Sequence, residues 1–478
     1  ARFFEKCKDL RIRLEEILRA DARHDPASRT PEALSKALGE WGGGWIDPGT
    51  LSQVLPETTG SQGLSAERKK RIESLNRDLV RFLDLIRETP ALYLVSAEED
   101  LSAPGGTALV HSDPFECAAG VVDGILMNVV EGVRALRVAE LELAGGASNE
   151  AMDIFLAHFD WQSLTSQELL LVPPVLVVES SDRLTETTMS SLNRLLRTGY
   201  PVDIMITVED SFAPAGPDDS RLTGLLPDFG YLGMAHREVF VLQSCPAEPE
   251  HLLKGLRKLV GNLGPGVAVV VSPAPGSSGE ISWIVQKLAH RSRTFPCFMY
   301  DPALGDTWAD RFSLEGNERP EERILKVEIK AETGGHSITA IEEGLTFAHT
   351  AALKPEFSGH FYVIGPDAWD EDQVHLSEYL QEYKTQPPEG VPYIWMVSPE
   401  RELCRAVVTR EMVSACRDRM HSWGILQELG GLNNEYVRRA VAEVRAEMEE
   451  SFAARTQEIE ERARTQGATE AVDRLVAL

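Results

Sequence analysis

PPVLVVESSDRLTETTMSSLNRLLRTGYPVDIMITVEDSF, residues Pro173 to Phe212, sets the reading of the whole chain. An apolar run, Val175 to Val178, stops at a polar loop. A helix-like segment follows and ends at Gly199, and a second apolar run, Val202 to Val208, stops at Glu209-Asp210. Acidic and hydroxyl residues thereby collect at the ends of two neighbouring strands, where open α/β sheets bind ligands. The first loop, Glu179 to Arg183, contains no glycine.

The same texture extends on both sides. From Ala91 the short apolar runs ALYLV, TALV, PVLVV, VDIMITV, REVFVL and GVAVVV alternate with helical segments such as 116–131, 187–197 and 249–262. Near-continuous apolar strands between helices predict a mostly parallel sheet covered on both faces. Residues 91–320 are therefore read as an α/β domain. Residues 1–90 precede it as a helical module, with Ile72, Leu75, Leu79, Phe82, Leu83 and Ile86 at helical spacing in 65–88. Residues 321–432 mix shorter apolar runs (ILKVEI, HFYVIG, PYIWMV) with acidic, proline-containing loops, as an α+β extension does. Residues 433–478 form a charged helix, whose apolar edge of Val437, Val441, Val444, Met448 and Phe452 is expected to lie on its own protein, with a coiled-coil partner as the other reading.

Composition bounds the function. A chain of 478 residues holds two to four domains, and 43% hydrophobic with 26% charged residues is ordinary for a globular protein. Its 48 Lys+Arg against 75 Asp+Glu, a net charge of −27, argue against nucleic acid as a main ligand. No apolar run approaches a membrane span, and the N-terminus has no signal-peptide core, so a cytoplasmic location is expected. The six cysteines, Cys7, Cys117, Cys245, Cys297, Cys404 and Cys416, are scattered without a C-x-x-C pair. Buried reduced thiols are expected, and no iron–sulfur cluster.

Motifs are few. No Walker loop, no G-x-G-x-x-G after a strand, no H-E-x-x-H and no G-x-S-x-G occurs. PGSSGE, Pro275 to Glu280, could cradle an anion at a helix start, but as a motif it is weak, and a plain turn capped by Ser277 or Ser278 is the favoured explanation. His111 and Cys117 are close in sequence, which is no evidence of a nucleophile pair. His290, Arg291 and Arg293 form a cationic patch that could bind a carboxylate or phosphate, though simple balance of neighbouring acids is the favoured reading.

Residues 173–312 resemble the thiamine-diphosphate-binding domain of pyruvate:ferredoxin (2-oxoacid:ferredoxin) oxidoreductases. In that family a strand leads to G-D-G, a helix and a glycine, then a strand ending D-T-E-V-Y-S-N. The matching segments here are VVESSDR and SLNRLLRTGYPVDIMITVEDSFAPAG. LGMA at Leu232 to Ala235, GPG through VSPA at Gly264 to Ala274, and FPCFMYDP at Phe295 to Pro302 continue the likeness. The resemblance implies a thiamine-diphosphate-binding fold. It also implies magnesium held by the Asp of G-D-G and the Thr of D-T-E, whose positions carry Ser181 and Glu209 here.

The departures matter. Ser180 and Asp182 replace both loop glycines, and a carboxylate there repels a diphosphate. Pro214 stands where the family has Asn, and Ala274 where it has a cluster-ligating Cys. Ser180, Ser181, Asp182 and Ser211 then mark a vestigial diphosphate region, and Asp182 with Glu209 would hold a metal only if one is retained. The expected function is a non-catalytic, regulatory or docking portion of such an oxidoreductase, taking no cofactor on its own. Its partners would be other oxidoreductase domains or a second copy of itself. The alternative is an active enzyme with thiamine diphosphate and Mg²⁺ lodged between this domain and a partner. A third reading has a small anion near Ser181, Ser211 and Ser277.

Overall fold

A computed structural model of the chain describes residues 2–24, 26–42, 45–58, 64–99, 102–144, 150–209, 228–273, 278–333, 337–383, 385–397 and 403–477. They form two compact units. The first comprises 1–179, 184–205 and 260–266, and the second 180–183, 206–259 and 267–478.

In the first unit the helices Arg2–His24, Pro31–Gly42, Pro48–Thr58 and Ala66–Glu88 come first. Sequence spacing predicts the last of these, while the two short ones run into the two ends of the glycine-rich WGGGWIDPG, Trp41 to Gly49. Ser65 caps Ala66–Glu88 by accepting a hydrogen bond from the Arg68 backbone N–H at 3.3 Å, and its apolar face, including Ile72 and Leu79 at 0% exposure, is buried. That helix packs on the longer helix Pro114–Leu143. Asp113 starts the longer helix: one carboxylate oxygen accepts from Glu116 N–H at 3.1 Å and the other from Ser191 Oγ at 2.6 Å. The packing is close. The Phe82 ring lies over Gly132, where an added Cβ would stand 2.0 Å from a ring carbon.

The strands are β1 (Tyr93–Ser96), β2 (Thr107–Val110), β3 (Val175–Ser180), β4 (Asp203–Glu209), β5 (Phe240–Ser244), β6 (Gly266–Ser272), β7 (Phe298–Tyr300) and β8 (Phe312–Ser313). They hydrogen-bond as one sheet in the order β2-β1-β3-β4-β6-β5-β7-β8. β1 is parallel to β2 and β3, whereas β7 is antiparallel to both β5 and β8. All five residues of β5 and the first six of β6 are buried, as strands covered on both faces must be. The mostly parallel α/β sheet expected from the apolar runs is present, with VDIMITV, REVFVL and GVAVVV inside it.

In the second unit, β9 (Lys326–Thr333) and β10 (Ser337–Gly344) form an antiparallel hairpin. A four-stranded sheet follows, made of β11 (Phe361–Ile364), β12 (Gln373–His375), β13 (Val391–Val397) and β14 (Leu403–Val408) in the order β11-β14-β13-β12. The helix Arg410–Leu429 packs on the short helices Phe347–Ala351 and Leu376–Glu382. Its Trp423 is wholly buried and donates to the Glu322 carbonyl at 2.9 Å.

The last helix departs from expectation. Glu435–Val476 runs 42 residues from its Asn434 cap, and no residue along it is buried. It does not lie on its own protein. Its Ala, Glu and Arg content sustains the helix by intrinsic propensity, so local stability says nothing about whether the apolar edge is covered. No described helix is long and apolar enough to cross a membrane.

Candidate functional site

The carboxyl ends of β3 and β4 are built by ordinary local rules. β3 ends at Ser180, and Ser181–Arg183 closes at once into a single 3-10 turn. Thr185 then caps the helix Glu186–Thr198 through a reciprocal box. Its N–H donates to Thr188 Oγ1 at 2.8 Å, and Thr188 N–H donates to Thr185 Oγ1 at 3.4 Å. The helix ends at Gly199, whose φ of 75° is a left-handed conformation that suits glycine. The chain then re-enters the sheet as β4.

Of the residues singled out by sequence, Ser180, Ser181 and Asp182 meet in that one turn. Ser181 Oγ donates to Asp182 Oδ1 at 3.4 Å, with Ser181 half-buried and Asp182 exposed. Glu209 is half-buried at the end of β4, the strand next to β3. Ser211, Pro214, Ala274 and Ser277 lie outside the described residues. Ser278, the other capping candidate in PGSSGE, is the cap: its Oγ accepts from Ile281 N–H at 3.3 Å.

These donors do not fit a magnesium diphosphate. The cation wants several hard, anionic oxygens in octahedral array, and among the described residues no group of three or more His, Cys, Asp or Glu side chains is arranged to hold a metal ion. A diphosphate wants free backbone N–H groups at a helix start. Two such donors at Glu186–Thr198 are spent inside the Thr185–Thr188 box.

Two other features noted in the sequence gain no chemical role from their surroundings. Desolvation raises the Cys117 thiol, which works against a thiolate, and His111 Nδ1 accepts from the Asp113 backbone N–H at 3.0 Å. The cationic patch is structural as well. Arg291 pairs with Glu318 at 3.2 Å, and burial drives His290 down to about 3. Arg293, at 2% exposure, gives Nη2 to the carbonyls of Glu318 and Arg319 and lies 4.5 Å from the Trp423 ring. Its Nε and Nη1 have no hydrogen-bond partner among the described residues, and it borders a cavity of about 20 Å³ shared with Asp228, Tyr231, Gln243 and Arg419. That is room for one water, which suits an orphaned N–H better than any larger anion.

The second unit also holds a constellation that no spacing announced. Glu343, at the end of β10 and 0% exposed, faces two histidines. Its Oε1 lies 3.0 Å from His349 Nε2, and its Oε2 lies 3.3 Å from His375 Nδ1. The Thr346 backbone N–H donates to His349 Nδ1 at 3.0 Å, so the His349 proton sits on Nε2 and points at the carboxylate. Burial pushes the Glu343 carboxyl up, but the contacts from His349 and His375 outweigh it and hold the group below the usual carboxylate range. The His375 ring rests 4.8 Å from Tyr393, and Arg405 stacks 4.4 Å from the same tyrosine. Thr346 and His349, three apart at a helix start, form a capping pattern visible in sequence. Nothing local points to His375.

All six cysteines are free thiols, five of them buried, and Ser244 Oγ stands 3.8 Å from Cys297 Sγ. No protein-family model and no curated protein matches the chain.

Proposed function

We propose that this chain is a non-catalytic portion or subunit of a 2-oxoacid:ferredoxin oxidoreductase-like protein, one that keeps the strand–helix–strand frame and serves in docking or regulation. One observation carries the reading: the turn after β3 satisfies itself. Ser181 donates its hydroxyl to Asp182, and the Thr185–Thr188 box uses two of the N–H donors at the helix start that a diphosphate would need. The exposed Asp182 carboxylate adds like charge where the phosphates would approach. The resemblance over 173–312 supplies the lineage, and the lost glycines and Ser181 supply the loss of grip.

Calorimetric titration with thiamine diphosphate and Mg²⁺ tests it. The unmodified chain is expected to give no heat of binding up to millimolar cofactor. Micromolar binding would overturn the reading in favour of an active enzyme whose site is completed by a partner domain.

A further inference from the structure

The exposed helix Glu435–Val476 repeats its apolar positions every eleven residues. Val437, Val441 and Val444 are followed by Met448 and Phe452, and then by Ile459. At 100° per residue these six fall within about 80° of one another, a single stripe along one side. Each is between 55% and 68% exposed, and no residue of the helix is buried. An eleven-residue period, about 3.67 residues per turn, is the signature of helices that pair in a right-handed supercoil.

We propose that this stripe is a homotypic interface, on which a second copy of the same helix docks antiparallel with Met448 facing Met448. The proposal rests on this helix alone and stands whether or not the cofactor reading above holds. Three features select that occupant and that direction. First, this register sets Val444 against Phe452 of the second copy and Val437 against its Ile459, so large and small apolar side chains alternate across the seam. Second, Arg455 interrupts the stripe. A parallel pair would bring two Arg455 side chains together, whereas the antiparallel pair lays Arg455 on Val441 of the second copy. There its methylenes cover apolar surface and its guanidinium reaches water. Third, Arg445 and Glu449 flank the stripe on the same side, and antiparallel pairing sets each beside the opposite charge of the other copy. The area reaches the needed scale: six side chains on each copy, at roughly 60–120 Å² of apolar surface apiece, cover roughly 700–1,400 Å² in total, a range that spans the roughly 1,000 Å² at which specific interfaces begin.

Light scattering on the full chain at about 100 µM and 0.15 M salt tests the pairing, with a dimer of twice 52.8 kDa expected. Val444→Glu combined with Phe452→Glu should return the mass to 52.8 kDa with an unchanged circular dichroism spectrum, because both side chains are exposed in the single chain. A nitroxide on a non-natural residue at position 470 reads the direction. Antiparallel copies separate the two labels by about 66 Å along the axis at about 1.5 Å per residue, and parallel copies leave them about 10 Å apart. A monomeric unmodified chain, a dimer that survives the double substitution, or the short label distance would each overturn the proposal.

Discussion

Replacing Asp203 with asparagine should stabilise the protein, and by more as the pH rises. Asp203 opens β4 at 8% exposure, and burial alone raises its carboxyl from 3.8 to about 7. No hydrogen bond or ion pair to this side chain offsets that desolvation among the described residues. In the unfolded chain the group ionises near 3.8, whereas the folded chain keeps the proton until about 7. The folded state therefore binds the extra proton between those values, and stability falls as the pH rises through that window. The penalty is absent below the lower value and complete above the upper one, where it reaches about 4 kcal/mol at about 1.36 kcal/mol per pH unit. Asparagine carries no such proton. Between pH 5 and pH 8 the Asp203→Asn protein should gain about 2.7 kcal/mol on the native chain, the part of the window above pH 5. Urea unfolding of both proteins at the two pH values measures the gap. Difference titration of the folded proteins should also find one group near pH 7 missing from the variant. A stability gap that stays constant from pH 5 to 8 would refute burial of the ionisable carboxyl as the cause.

Gly132→Ala places a Cβ about 2.0 Å from the Phe82 ring and should cost about 1–3 kcal/mol in thermal or urea unfolding. On the same helix Gly124 has nothing within 4 Å, so Gly124→Ala should be neutral or stabilise by up to about 1 kcal/mol. Glu343→Gln removes the buried carboxylate that accepts from His349 and should destabilise by about 1.5–3 kcal/mol at neutral pH. Because the Glu343 carboxyl is depressed below its ordinary 4.5, that stabilisation is present above 4.5. It is lost as the pH falls through the folded value, so the two unfolding curves should converge in acid. In calorimetry with thiamine diphosphate and Mg²⁺, Ser181→Asp combined with Asp182→Gly should raise affinity measurably, while Glu209→Thr alone should do little. An unchanged titration for the double variant would show that the turn after β3 is not what limits binding.

What the sequence determined by itself was the set of local elements. VDIMITV and GVAVVV read as buried strands because each is a continuous apolar run bounded by turn residues. Ile72 through Leu83 likewise mark a helix and its buried face within one stretch of chain. The turn at Ser180 to Asp182 was equally legible, since its missing glycines are a property of adjacent residues. Tertiary structure decided what those elements meet. The order in which the strands pair, and the reversal at β7, follow from crossovers that no window of sequence contains. Asp203 looks like any polar residue at a strand start until the chain around it removes its water. Glu343 and His375 are 32 positions apart, and only the packing of β10 beside the second sheet makes them neighbours. The last helix is the converse case: its periodicity defines a face without saying whether anything covers it. Periodicity and turn chemistry are set by residues a few positions apart, whereas burial, and with it pKa and pairing, is set by whatever the rest of the chain brings alongside.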